Sequence, residues 1–147
     1  SVGLSSITSV ENLCRNFPEN RFLVTALSRE NQHSLCVAAR KFRNLHPFGC
    51  WWFTNIPTLM DEISTLRFEL LGLSFTAQHS DARVLDQIIY KWTHFKESLI
   101  LTLSEKYSAL EASGWEISDE EISRDLQDIL GRNFEQFCSK ESSEKSS

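Results

Sequence analysis

Apolar residues recur along this chain at spacings of three and four, the period of one face of an α-helix, and the pattern falls into blocks. Thr8 and Glu11 stand at capping-box spacing ahead of a first short helix over 9–17. Phe22, Leu23, Ala26 and Leu27 begin a second stripe, polar residues interrupt it from Ser28 to Ser34, and Leu35, Ala38, Ala39, Phe42 and Leu45 resume it. The spacing predicts a helix over 21–45, either continuous or divided near 28. His46-Pro47 and Gly49 end it, because a residue before proline avoids helical dihedrals.

Pro57, Thr58 and Asp61 supply a start for the next helix, predicted over 57–75, with Leu59, Ile63, Leu66, Leu70 and Leu73 on one face. Ser80 and Asp81 read as cap and first-turn acid of the longest run, 81–113, striped by Leu85, Ile88, Trp92, Phe95, Leu99, Leu103, Tyr107 and Leu110. Straight, such a helix would extend about 50 Å, beyond the ~40 Å breadth of a compact domain of this size, so it either bends or protrudes. Gly114 and Trp115 fit a left-handed helix end with an apolar residue folding back on Leu110. Ser118 and Glu121 form a second capping box, with Ile117 and Ile122 at staple positions, opening a final helix over 119–138 with Gly131 as its weak point.

Together these elements predict an all-α bundle of four to five helices in a single domain, 1–138, followed by a Ser/Lys/Glu-rich linker, 139–147. Only three prolines and five glycines in 147 residues leave few turns for a many-stranded architecture.

Charge changes the picture in one respect. The net charge of −5 is uneven, with 7 basic and 6 acidic residues in 1–80 against 8 and 14 in 81–147. No basic domain stands out, which argues against a nucleic-acid partner. No apolar run approaches the length needed to span a bilayer, and no Asn-x-Ser/Thr acceptor occurs. The four cysteines are widely spaced and read as free thiols of a cytoplasmic or nuclear protein.

Candidate chemistry is sparse. The sequence has no nucleophile elbow, phosphate loop or zinc-protease motif, so neither an enzyme nor a cofactor is expected. His33, Cys36, His46 and Cys50 have zinc-capable side chains, but their spacing matches no common finger, and Cys36 lies inside an apolar run; the default reading is structural. The run GCWWFTNIP is the strongest anomaly, since Trp51 and Trp52 are adjacent and regular geometry cannot send both into one core. One of Trp51, Trp52 and Phe53 is expected to plug the bundle, and the leading expectation is that all three are internal, with one exposed tryptophan as the alternative. An exposed tryptophan beside Phe48, the basic helix end at Arg40 and Arg43, and the distal Tyr107 define a candidate surface for a partner helix or peptide.

The leading expectation is therefore a non-enzymatic scaffold or adaptor domain of a larger intracellular protein. Behind it stand a secreted four-helix signalling protein with two disulfides and a zinc-stabilised module. If Trp52 is a recognition residue, Trp52→Ala should weaken partner binding at least tenfold in a titration while thermal stability stays almost unchanged.

Overall fold

A computed structural model describes residues 6–139; the expected linker over 139–147 lies outside them except for Ser139. Helices dominate, as the periodicity predicts. In chain order the elements are α1 (Thr8–Asn16), β1 (Phe22–Val24), α2 (Asn31–Lys41), β2 (Leu45–Pro47), α3 (Pro57–Leu71), α4 (Leu85–Ala112), α5 (Asp119–Gln127) and α6 (Asn133–Ser139). A 3-10 turn covers Trp52–Thr54, and a π-helical turn over Asp128–Arg132 joins α5 to α6.

The predicted helix over 21–45 is confined to its central third. Its two ends are strands, pairing in parallel with Phe22 opposite Leu45, Leu23 opposite His46 and Val24 opposite Pro47. Three-residue strands are too short to display an alternating pattern, so their apolar residues merge with the helical stripe between them. On the other side of β2, Phe48 forms a parallel bridge with Thr76. Gly49 N–H donates to Thr76 O at 3.0 Å and Thr76 N–H to Pro47 O at 3.2 Å. β2 thus has parallel neighbours on both sides, and α2 and α3 are the crossovers between them.

Two clusters of side chains fill the interior. Cys14, Ala26, Leu35, Ala38 and Leu45 join α1, β1, α2 and β2. A larger one contains Cys36, Cys50, Met60, Ile63, Phe75, Phe95, Leu99, Leu103 and Ile129. The predicted stripes account for most of it, since Ile63 of α3 and Phe95, Leu99 and Leu103 of α4 lie on the faces that the spacing marked.

α4 begins at Leu85 rather than 81, and spans about 42 Å at the standard helical rise. Only its middle is buried. Leu85, Ile89 and Tyr90 near its start, and Ile100 and Leu101 on its outer face, are all more than half exposed. Ser118 and Glu121 close the capping box expected of them. The weak point foreseen at Gly131 is the π-turn, where the ladder loosens and Ile129 O accepts a 2.8 Å bond from Ala77 N–H. Asn133 Nδ2 also donates to the carbonyls of Leu73 and Phe75. These bonds pin the last helices to the segment that carries Thr76.

Among the described residues no helix is long and apolar enough to cross a membrane. Phe95 is fully buried where α3, α4 and the last helices meet. Phe95→Ala should lower unfolding free energy by about 3–5 kcal/mol in a urea titration.

Candidate functional site at the carboxyl ends of the parallel strands

In open parallel sheets, loops that leave the carboxyl ends of the strands converge and carry the chemistry, while the amino ends serve packing. Three loops leave such ends here, after Val24, after Phe48 and after Ala77. The first and third are more polar than the strands, and the second is aromatic. The second contains Gly49, Cys50, Trp51 and Trp52; the third contains Gln78, His79, Ser80, Asp81 and Arg83.

Two non-glycine residues among those described have positive φ, Trp52 at 48° and Asp81 at 42°. Both lie in these loops. Left-handed backbone at a non-glycine residue costs of order 1 kcal/mol or more, and such strain persists where surrounding contacts impose it. For Asp81 those contacts are visible. Trp51 Nε1–H donates to Asp81 Oδ2 at 2.5 Å, and Lys91 Nζ donates to Asp81 O at 3.0 Å. Asp81 is solvent-exposed, and Oδ1 has no partner among the described residues. The Arg83 guanidinium, two residues on, is also exposed and makes no ion pair or hydrogen bond among the described residues.

Close packing beneath this pair depends on Gly49. Its φ of +60° is left-handed, and a Cβ built there would lie 2.0 Å from His79 Cδ2. The His79 ring also packs against Phe48, with centroids 4.8 Å apart. Burial pushes the His79 pKa down, the Asp81 carboxylate opposes that shift, and Lys91 and Arg67 reinforce it. The imidazole packs beneath the pair, and its Nε2 is sealed from solvent with no partner among the described residues.

The aromatic run resolves as follows. Trp51 is half-buried, Trp52 is 64% and Phe53 55% exposed, and Trp52 stacks on Phe53 with centroids 5.3 Å apart. None of the three plugs the interior. The buried residues of this loop are Cys50 and Thr54, since the strand end turns Cys50 inward and the 3-10 turn brings Thr54 back beneath Trp51.

The remaining sequence candidates are dispersed. Phe48, Trp51 and Trp52 share the carboxyl end, but Arg40 and Arg43 close α2 and therefore stand at the amino end of β2. There they line a separate cavity of about 600 Å³ with His46 and Phe137. Tyr107 is farther away on α4, where its hydroxyl donates to Asp125 Oδ2 at 3.0 Å. Desolvation, then that bond and the Asp125 charge, push its pKa up to about 12.

His33, Cys36, His46 and Cys50 do not assemble either. His33 is exposed on α2, Cys36 and Cys50 lie in the core, and His46 Nε2 is bonded to Thr76 Oγ1 at 2.8 Å. No cluster of three or more His, Cys, Asp or Glu suited to a metal occurs among the described residues. All four cysteines are unpaired, which removes the two disulfides of the secreted reading.

The sequence reading missed Asp81 and Arg83. It placed Asp81 in the first turn of α4, whereas the helix starts four residues later. The signal available was the run QHSDAR, six residues that concentrate an imidazole, a carboxylate and a guanidinium after a short apolar segment.

No family model matches the chain, nor does any curated protein. Solved structures do provide a match. The chain is similar to part of a uronate isomerase. The crystal structure of that enzyme from Bacillus halodurans C-125 superposes with a TM-score of 0.88 at 54% identity, over 90% of this chain and 32% of that one. The chain thus spans about a third of that enzyme's length. This overturns the non-enzymatic scaffold or adaptor expected from the missing motifs, and with it the signalling-protein and zinc-module readings. Motif silence misled because a short piece of an enzyme can carry catalytic groups on strand-end loops with no contiguous signature.

Two outcomes check the geometry. Gly49→Ala should lower stability by about 2 kcal/mol or more through its left-handed dihedral and the clash with His79, and adding His79→Ala should restore only the clash portion in thermal melts. His46 is held at a pKa of about 4 by burial and, secondarily, by Arg67. The unfolded chain, with an ordinary imidazole near 6.5, therefore binds the extra proton first. Stability should be unaffected by this residue above pH 6.5 and fall as pH drops toward 4, by up to about 3 kcal/mol; His46→Gln should flatten that portion of a stability–pH curve.

Proposed function

We propose that this chain is a segment of a uronate isomerase and forms one wall of its active site. The likeness at 54% identity and TM-score 0.88 carries the reading. The strand-end geometry supports it, because both strained non-glycine residues stand where a parallel architecture places its chemistry.

Roles follow from what each group can do. Shifting a carbonyl between adjacent carbons of a sugar acid moves one proton between those carbons and another between their oxygens, and a positioned side-chain base can carry the first. Asp81, exposed and with Oδ1 unpartnered among the described residues, fills that role. Trp51 orients it by donating to Oδ2. Arg83 supplies the counter-charge for the uronate carboxylate, which a guanidinium grips through paired hydrogen bonds. The exposed face of Trp52 offers an apolar wall for the sugar ring.

The uncovered surfaces fit the same reading. Parallel sheets are found with both faces covered, an unpaired edge is a template for further pairing, and among the described residues β1 pairs on one side. The exposed start of α4, with Leu85 and Ile89, and the cluster Trp52, Phe53 and Ile56 are apolar areas that the other two-thirds of the enzyme would cover. The partner expected for the aromatic surface is thus the rest of the same enzyme. Four unpaired thiols agree with a cytoplasmic setting.

The test replaces the matching third of the Bacillus halodurans enzyme with this chain and assays isomerisation of a uronate. The chimera should turn over substrate, Asp81→Asn should lower kcat by about 10²-fold or more, and Arg83→Met should act chiefly on KM, raising it about tenfold. A chimera that melts cooperatively with a helical circular dichroism spectrum, yet isomerises nothing, overturns the reading.

A further inference from the structure

We infer that Gln78 is a positioning residue for the Trp51–Asp81 pair, an inference that rests on the isomerase reading above. Gln78 is 2% exposed, and its side-chain amide is used from both ends. Oε1 accepts from Cys50 N–H at 3.0 Å and from His79 N–H at 3.1 Å, while Nε2 donates to Asn55 Oδ1 at 3.3 Å. One side chain therefore ties the start and the finish of the second strand-end loop to the third strand.

Between those two anchors the loop closes on itself. Trp51 N–H donates to Thr54 Oγ1 at 2.9 Å, and Thr54 Oγ1–H donates back to Trp51 O at 2.8 Å. Trp51 thus belongs to a small hydrogen-bonded ring whose attachment to the sheet on this side is the Gln78 amide. Asp81 is three residues beyond Gln78 on the same strand exit. The indole and the carboxylate meet because both are referred to one buried group.

Removing that group leaves the buried amides of Cys50 and His79 without an acceptor, a cost that the loop can escape only by moving toward water. Such movement carries Trp51 away from Asp81. The carboxylate would then lose its orienting donor although the substituted side chain touches neither the indole nor the carboxylate.

The chimera supplies the test, with tryptophan indoles labelled by nitrogen-15 and Trp51→Phe assigning the resonance. Gln78→Leu should reduce kcat about tenfold or more with KM within about threefold, and should move the Trp51 indole resonance to its position in Asp81→Ala. In a Trp51→Phe background the same substitution should cost less than about twofold further, since the interaction it serves is already gone. Gln78→Glu keeps an acceptor for both amides, near the Arg67 charge felt by Cys50 and His79, and should recover most of the loss. If Gln78→Leu does not fold, Gln78→Asn, shorter by one methylene, reads the same way. An unmoved indole resonance, or kcat losses that add in full with Trp51→Phe, would overturn the inference. The resonance reports on the pair without turnover, so its result stands even if the isomerase reading fails.

Discussion

The carboxyl-end site depends on β2 being held from both sides. Its pairing with β1 and with the Thr76 segment fixes the direction in which three loops leave the sheet. Parallel neighbours require crossovers, and α2 and α3 provide them with apolar faces that bury Leu35, Cys36, Met60 and Ile63. Backbone bonds align the strands, and helix burial stabilises the alignment. Neither would suffice alone for strands of three residues, because a short ladder contributes few hydrogen bonds, each of modest net worth.

Close approach at Gly49 is the second constraint. A side chain there would meet His79, so the ring seals the floor of the site and the polar groups above it stay together. Gln78 completes that floor from below. The left-handed backbone at Asp81 is held by Trp51 and Lys91 above this floor, consistent with a place where several loops must share one small volume.

The helical framework was legible because it is periodic over long stretches. Phe95, Leu99 and Leu103 could be assigned to one buried face from spacing alone, and the Ser118–Glu121 cap from its two residue types and their separation. The strands were not legible. Phe22–Val24 and Leu45–Pro47 are each shorter than one helical repeat, and their burial comes from neighbours distant in sequence. Aromatic adjacency at Trp51 and Trp52 correctly marked an irregular loop, which lies at the carboxyl end of a parallel strand. Arg40 and Arg43 looked close to that loop along the chain, yet α2 runs back along the sheet and leaves them at its opposite end.

The amino-acid sequence by itself determined the long helices, the Ser118 cap and which helix faces avoid water, since those depend on neighbours three or four residues away. Only the tertiary structure decided that Trp51 meets Asp81 and that Gln78 reaches Cys50, because such contacts join residues about thirty positions apart through a sheet. The donor that the Asp81 carboxylate faces and the strand end that presents it are not encoded by its immediate neighbours in the chain.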